Sequence, residues 1–214
     1  MPHLLAIDTC TRLCSLALRD EHALRAERTW LVERHHTASI SAHIQQMCAD
    51  CGIAPAQLSA VAVATGPGSF TGVRCGLSIA KGLALATDAR LIGICAFDIL
   101  RAAQPILPDS AQLLYVLIEA GRKRVAVKRY DGSVTEPNRF VVQSWDEFEA
   151  TVKDPATVCG DVPTTLEPRL LLRIAAPALN VRRAGVLADL AFTRFEQGAF
   201  DSIDTLAPIY PPQP

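Results

Sequence analysis

The sequence predicts an α/β fold in which mixed β-sheets are flanked by helices. Short apolar runs alternate with amphipathic segments along the 214 residues, an order typical of strands packed under helices. The order also occurs twice, because each half opens with strands and then alternates helix and strand. We therefore predict two lobes of similar architecture, an N-terminal lobe at 1–106 and a C-terminal lobe at 107–214. The proline-containing segment "QPILPDSAQ" marks their boundary.

The N-terminal half is predicted to begin with three antiparallel strands and to continue with alternating helices and strands. Its apolar runs are short and end in turn-forming residues, as in "HLLAID" and "AVAVAT". Apolar positions then recur at helical spacing, which indicates a helix over 36–51 that stops at Gly52. The predicted strands are 3–8, 13–18, 23–32, 60–65 and 90–95, and two further helices follow, one after the turn at 66–72 and one at about 97–104.

The C-terminal half begins in the same way. Ser144 precedes Glu147 by three residues, the spacing of a capping box, and so predicts a short helix over 144–152. A longer helix is predicted over 184–198, and the proline-rich tail "LAPIYPPQP" favours an extended conformation. The predicted strands are 113–120, 124–130, 138–143 and 156–161, with a hairpin turn at Asp131-Gly132.

Composition indicates a compact globular protein without a strongly charged surface. Half of the residues are hydrophobic, 20% are charged and the formal net charge is −1, so a long basic surface for nucleic acid is not expected. The opening "MPHLLAIDTC" lacks the features of a secretory signal, and no apolar run reaches the ~18 residues of a membrane span. Seven cysteines without a tight framework favour reduced thiols. We expect a cytoplasmic protein with no membrane partner.

The stretch "TGPGSFTGVRCG" predicts a tight turn that leads into a helix. Gly66 and Gly68 allow backbone angles that other residues avoid, and the free N–H groups of the helix that follows attract anions. The spacing matches neither G-x-x-x-x-G-K-[ST] nor G-x-G-x-x-G. Two interpretations stay open: a turn kept for its shape, or contact with a phosphate group. The candidate nucleotide- or phosphate-binding residues are Asp8, Thr9, Gly66, Gly68, Ser69, Thr71 and Gly72.

Asp8 ends the first predicted strand and is followed by Thr9. A carboxylate at the end of a strand, beside a hydroxyl group, can hold Mg²⁺ through water. The competing interpretation is that Asp8 accepts a hydrogen bond from the turn into the next strand, as aspartate often does. One carboxylate is too few for a metal site, so no metal site is predicted.

No catalytic residue is predicted elsewhere. The five histidines all lie within the first 43 residues and form no H-E-x-x-H pattern. The lone C-x-x-C at Cys48 and Cys51 falls within the helix at 36–51, which favours core packing over metal or redox use. The basic residues at 122–124 and 128–129 can bind RNA in principle, but no aromatic stacking platform accompanies them, which favours a solvated surface.

The helix after the turn has few polar residues and must be covered on more than one side. Small residues recur every four positions at Gly72, Gly76, Ala80 and Ala84, which allows another helix to approach closely. Packing within the fold and docking of a partner protein both explain this pattern. The candidate partner-interface residues are His36, Ile40, Ile44, Met47, Val73, Arg74 and Leu77.

Four segments of the chain resemble the TsaB (YeaZ) family: "LLAIDTCTRLCSLAL", "RHHTASI", "ATGPGSFTGVRCGLSIAKGLALA" and the closing "LADLAFTRFEQGAFDSIDTLAPIY". The resemblance implies an actin/Hsp70-like (ASKHA) fold of two ribonuclease-H-like lobes. It also implies a role in tRNA modification. TsaB pairs with TsaD, which transfers a threonylcarbamoyl group to adenosine 37 of tRNA, and the ATPase TsaE joins the pair.

The resemblance leads us to expect a non-catalytic scaffold or activator subunit. The catalytic relative TsaD needs an H-x-x-x-H metal pair and a longer chain, and neither is present in these 214 residues. We expect no cofactor of its own, with ATP or ADP and Mg²⁺ only at the level of the complex. We also expect a homodimer in isolation and contact with tRNA only through the complex. The alternative is a small Mg-ATP-binding ATPase or kinase that uses Asp8, Thr9 and the glycine-rich turn.

Overall fold

The computed structural model describes residues 1–32, 36–105, 113–131, 139–163 and 171–211, with the backbone alone at 36–39. The described residues form ten strands in two five-stranded sheets. The first sheet contains β1 His3–Asp8, β2 Leu13–Arg19, β3 Leu24–Leu31, β4 Leu58–Ala64 and β5 Arg90–Ile94. The second contains β6 Leu113–Glu119, β7 Arg124–Tyr130, β8 Val141–Ser144, β9 Ala156–Gly160 and β10 Leu172–Ile174.

Both sheets have the same topology. The strand orders are β3-β2-β1-β4-β5 and β8-β7-β6-β9-β10. In each sheet the first three strands are antiparallel neighbours, and the fourth and fifth run parallel to the first. The predicted repetition of mixed sheets is therefore confirmed. The short strand β10 was not predicted from the sequence.

Five α-helices accompany the sheets in the described part of the chain. The predicted capping box is present, because the Ser144 hydroxyl accepts from the Glu147 N–H at 3.2 Å and the Glu147 carboxylate accepts from the Ser144 N–H at 2.7 Å. The turn at Asp131-Gly132 lies partly outside the described residues. The helices are α1 His36–Asp50, α2 Phe70–Thr87, α3 Ala96–Ala102, α4 Trp145–Thr151 and α5 Ala184–Glu196.

The first sheet is sandwiched between helices. Val61 and Val63 of β4 join an apolar cluster with α1 and α2, whereas Ala60 and Ala62 join the cluster formed with α5. Successive side chains of a strand point to opposite faces, so β4 presents large residues to one helical layer and small residues to the other. The small residues allow α5 to pack close to the sheet.

The chain divides into two compact units whose boundaries differ from the predicted lobes. The first unit comprises Met1–Ile99 and Arg182–Ile209, and the second comprises Leu100–Val181 and the residues from Tyr210. The segment Arg182–Ile209, which the prediction placed in the C-terminal lobe, lies in the first unit. The apolar face of α5, which includes Leu187, Ala188 and Ala191, is buried against the first sheet, and this packing returns the segment to the first unit.

The second unit has a core of its own. Leu117, Val125 and Val158 of its sheet pack with Phe148 of α4. Phe148 is fully buried and contacts the ring of Tyr115 edge-on at 5.5 Å between centroids. Within the described ranges, no α-helix is a candidate for a membrane-spanning segment.

Candidate functional site

The turn before α2 packs directly against the residues that follow β1. The Ser69 N–H donates to the Cys10 carbonyl at 2.7 Å, and the Thr9 hydroxyl donates to the Gly72 carbonyl at 2.7 Å. Thr9 and Cys10 are both buried. The N-terminus of α2 is thus fixed to the end of the first strand by two long-range hydrogen bonds.

Glycine is required where these two segments meet. A Cβ atom at Gly68 would lie 2.3 Å from the Cys10 carbonyl oxygen, and one at Gly72 would lie 2.1 Å from the Thr9 carbonyl oxygen. A Cβ at Gly76, one helical turn later, would lie 2.2 Å from the Thr9 hydroxyl. The repeated small residues at the start of α2 therefore serve packing within the chain.

Gly66 has a second structural role. Its φ of +95° is in the region that favours glycine, and a Cβ there would lie 2.7 Å from the Ile209 carbonyl oxygen. The Ile209 N–H donates to the Thr65 carbonyl at 2.8 Å, so the C-terminal segment of the first unit packs against the turn. The interpretation of a turn kept for its shape has a direct physical basis.

Part of the predicted anion site is already occupied by the chain. Ser69 caps α2, because its hydroxyl accepts from the Gly72 N–H at 3.3 Å, while its own N–H donates to Cys10. Ser69 and Thr71 are exposed. Contact of this turn with phosphate stays a prediction, and it would have to use the N–H groups that these hydrogen bonds leave available.

Asp8 forms the hydrogen bond expected of a capping aspartate. Its carboxyl group is buried, and Oδ1 accepts from the Cys10 N–H at 2.8 Å. Oδ2 has no hydrogen-bond donor in the described part of the chain and lies 4.0 Å from Nε of Arg182. Arg182 is also buried, and its Nη1 lies 3.5 Å from the Pro67 carbonyl oxygen. Sequence patterns did not identify Arg182, because it is distant in the chain and lies outside any motif.

Strands β2 and β3 hold the start of α5 and thereby the position of Arg182. The Ala184 N–H donates to the Ser15 hydroxyl at 2.9 Å, and the Gly185 N–H donates to the Glu27 carboxylate at 2.9 Å. Glu27 also forms an ion pair with Arg183. These side chains satisfy N–H groups that a helix N-terminus leaves unpaired, so α5 is capped by the sheet.

The thiol groups near this edge are not activated. Burial raises the pKa of Cys10 well above its usual range, the Asp8 carboxylate raises it further, and Arg182 opposes the effect. A neutral buried thiol is a poor nucleophile.

The pair Cys48 and Cys51 lies at the C-terminal end of α1 and packs with the hydrophobic core of the first unit. Burial also raises the pKa values of both thiols, so the core-packing interpretation of this pair is confirmed. No cluster of three or more metal-ligating side chains occurs among the described residues.

Most of the candidate interface residues are buried inside the chain, so a partner interface built on them stays a prediction that this burial disfavours. The amphipathic period identified the buried face of α1 and α2, and that face packs on the sheet. Arg74 is exposed, and the side chain of His36 lies outside the described atoms. Gly72, Gly76, Ala80 and Ala84 are buried as well. The buried interface candidates, each 5% exposed or less, are Ile40, Ile44, Met47, Val73 and Leu77.

The opposite side of α2 is exposed along its whole length. We call this side the outer face of α2. Phe70 is 55% exposed and Leu85 is 75% exposed, and the Arg74 guanidinium lies 3.8 Å from the centre of the Phe70 ring. A Cβ at Gly82 would have no atom within 4 Å. The outer face consists of Phe70, Thr71, Arg74, Ser78, Gly82 and Leu85.

The basic residues at 122–124 and 128–129 do not form one exposed patch. Lys128 is 3% exposed and lies 5.1 Å from the centre of the Tyr130 ring, while Arg129 pairs with Asp131 at 3.3 Å. Arg122 and Lys123 have positive φ angles in the turn between β6 and β7. These five side chains give no continuous basic groove for RNA within the described part of the chain.

Comparison with known proteins assigns the chain to a family. The family model described as TsaD, tRNA N6-adenosine threonylcarbamoyltransferase, matches residues 30–158, more than half of the chain. The tRNA threonylcarbamoyladenosine biosynthesis protein TsaB of Escherichia coli (strain K12) is 42% identical over 91 residues, 42% of this chain and 39% of that protein. The chain belongs to this family, in its TsaB/YeaZ branch.

A second TsaB supports this assignment. TsaB of Haemophilus influenzae is 45% identical over 94 residues, 42% of this chain and 38% of that protein. The aligned part of this TsaB/YeaZ-family chain thus spans less than half the length of the curated relatives it matches.

The fold of this TsaB/YeaZ-family chain also matches a solved structure. YeaZ from Pseudomonas aeruginosa has a TM-score of 0.77 at 22% sequence identity, and the match covers 99% of this chain and 100% of that one. At this level of identity the likeness shows the fold alone. The predicted two-lobed α/β class, with mixed sheets flanked by helices, is confirmed.

Proposed function

We propose that this chain is a non-catalytic subunit that pairs with a TsaD-type transferase and acts with a TsaE-type ATPase in threonylcarbamoyl transfer to adenosine 37 of tRNA. One observation carries the proposal. The edge beyond β1, which a Mg-ATP-binding enzyme using Asp8 and Thr9 would need, is filled by the chain's own groups, whereas the outer face of α2 is left exposed. Membership of the TsaB/YeaZ family supports the assignment to this modification.

The groups at the β1 edge are poorly suited to catalysis. One oxygen of Asp8 accepts a backbone hydrogen bond and the other lies beside Arg182. The Thr9 hydroxyl donates to the Gly72 carbonyl, and burial raises the pKa of Cys10 and so favours its neutral thiol. A general base or nucleophile must reach a substrate, and these three side chains are each 1% exposed.

The outer face of α2 is suited to contact with another helix. Ser78 and Gly82 are small and exposed, so a second helix can approach closely there, with Phe70 and Leu85 contributing apolar area at either end. Glycine in the middle of a helix costs about 1 kcal/mol relative to alanine. No atom of the residues that the structure describes requires glycine at position 82. A partner that packs on this face would explain it.

The proposal is tested by co-purification with the TsaD-type protein of the same cell. Leu85→Asp and Ser78→Arg place a charge and bulk on the outer face of α2, and each should weaken binding at least tenfold, or about 1.4 kcal/mol. Val141→Asp is the matched control, because Val141 is 59% exposed on β8 of the second unit. Full retention of TsaD-type protein by both α2 variants, with the control also unchanged, would reject this interface.

The isolated chain should form a homodimer through the same face, so Leu85→Asp should also yield a monomer in analytical ultracentrifugation. The wild-type chain should have no cofactor of its own, and ATP or ADP with Mg²⁺ should bind only at the level of the complex. We expect the chain to act in the cytoplasm and to contact tRNA only through the complex. Calorimetry of the purified chain with Mg-ATP separates this function from that of a small ATPase or kinase. Micromolar binding with turnover, both lost in Asp8→Asn, would establish the enzyme instead.

A further inference from the structure

We propose that Arg182 is the permanent counter-ion of Asp8 and takes the place that a divalent cation would need at the end of β1. The first unit would then bind neither Mg²⁺ nor a Mg-nucleotide through Asp8. The inference concerns the chain itself and does not depend on which partner binds the outer face of α2.

The charges are arranged as a buried pair. Asp8 is 1% exposed and Arg182 is 5% exposed, and Nε of Arg182 lies 4.0 Å from Oδ2 of Asp8. A buried carboxylate needs a compensating positive charge or must take up a proton. Both side chains belong to the first unit, although the chain between them passes through the second. Arg182 is the residue that supplies this charge.

The surroundings leave few ligands for a metal ion. Mg²⁺ requires about six oxygen ligands, usually including one or two carboxylates and several waters. Oδ1 of Asp8 already accepts from the Cys10 N–H at 2.8 Å, and the buried Thr9 hydroxyl, which donates to the Gly72 carbonyl, could offer a metal ion only its oxygen lone pairs. The described residues contain no cluster of three acidic, histidine or cysteine side chains that could complete a coordination shell.

The backbone beside Arg182 is held in place by the start of α5. Arg182 lies two residues before α5 begins at Ala184, and Ser15 and Glu27 fix the start of that helix to the sheet through the N–H groups of Ala184 and Gly185. Nη1 of Arg182 also lies 3.5 Å from the Pro67 carbonyl oxygen of the glycine-rich turn. The guanidinium group therefore joins three segments, the end of β1, the turn before α2 and the start of α5, at the point where a cation would sit.

A double-mutant cycle tests the pairing. Arg182→Gln leaves the Asp8 charge buried without compensation and should lower Tm by about 6–20 °C. The double variant Asp8→Asn/Arg182→Gln removes both charges and should recover at least half of that loss, because the two changes are not additive. If Arg182→Gln does not fold, recovery of folded protein in the double variant reports the same coupling. Additive losses, or a double variant no more stable than Arg182→Gln, would overturn the proposal.

A cation titration tests the second part. Thermal unfolding of the full chain with up to millimolar MgCl₂ or MnCl₂, and calorimetry with MnCl₂ alone, should show no saturable effect in the wild-type protein. A saturable Mn²⁺-dependent rise in Tm that is lost in Asp8→Asn would refute the counter-ion role. Neither experiment includes the TsaD-type protein, so their failure would leave the proposed interface on α2 intact, and loss of that interface would leave the Asp8–Arg182 pair intact.

Discussion

The carbonyl oxygen of Thr9 lies so close to Gly72 that a Cβ atom at position 72 would come within 2.1 Å of it. The first turn of α2 and the end of β1 are therefore in backbone contact. The glycine-rich turn keeps α2 against the sheet with its buried face inward, and this packing leaves the outer face of α2 available to a partner.

Replacing glycine at two positions of α2 should have opposite effects on stability. Gly72→Ala should lower the free energy of unfolding by about 2 kcal/mol, because the new Cβ must displace the Thr9 backbone. Gly82→Ala should raise it by about 0.5–1 kcal/mol, since a Cβ there meets no atom and alanine favours the helix. Urea denaturation of both variants checks the difference, and equal effects would contradict the close contact at Gly72.

Loss of the side chains that cap α5 should destabilise the first unit. Ser15→Ala leaves the buried Ala184 N–H without its acceptor, and Glu27→Ala removes the acceptor of the Gly185 N–H. Each change should cost about 1–2 kcal/mol in chemical denaturation. The control Glu21→Ala, at an exposed position, should stay within about 0.5 kcal/mol of the wild-type protein. Variants of Ser15 and Glu27 as stable as the control would show that the sheet does not cap this helix.

The capping box of α4 should make stability depend on pH. The Ser144 backbone N–H, followed by its side chain, lowers the pKa of Glu147 in the folded protein. A group with a lowered folded-state pKa stabilises fully above its unfolded pKa, and that contribution is lost as the pH falls through the folded-state pKa. The stability difference between the wild-type protein and Glu147→Gln should therefore be largest near neutral pH and shrink in acid. A difference that grows on acidification would have the wrong sign.

The cysteines should differ in reactivity. Burial raises the pKa of Cys159 to about 12 and holds that of Cys10 well above its usual range, so both thiols should resist a thiol-reactive dye in the native protein at pH 8. Cys51 is only partly buried and should react before them. Mass spectrometry of the labelled peptides checks the order. Rapid labelling of Cys10 under native conditions would indicate that the β1 edge opens.

Local patterns in the sequence predicted most of the fold. Periodicity identified the strands and helices, and the spacing of Ser144 and Glu147 identified the capping box, because these features depend on near neighbours. The helical period places Leu77 and Leu85, eight positions apart in α2, on different faces of the helix. It does not say which of these two leucines packs against the chain's own sheet. Leu77 is 5% exposed and Leu85 is 75% exposed. The interface candidates chosen from the sequence therefore lie on the buried side of α2, and the exposed side was not considered.

Long-range features of the site could not be predicted. Arg182 meets Asp8 only because α5 returns to the first sheet, and no local pattern in the sequence encodes that return. The short strand β10 has only three residues, too few for a reliable period. The Asx-type hydrogen bond of Asp8 was foreseen as one of two alternatives, because it involves a residue two positions away.

The return of α5 to the first sheet has a consequence for biosynthesis. During translation, Met1–Ile99 leaves the ribosome long before Arg182–Ile209. The alanine-lined face of the first sheet therefore lacks its covering helix α5 while the second unit is synthesised. The second unit is synthesised after Met1–Ile99 but can complete its fold before the first unit does. A nascent chain stalled before residue 182 should recruit chaperones through that bare face, and release of about thirty more residues should end the interaction.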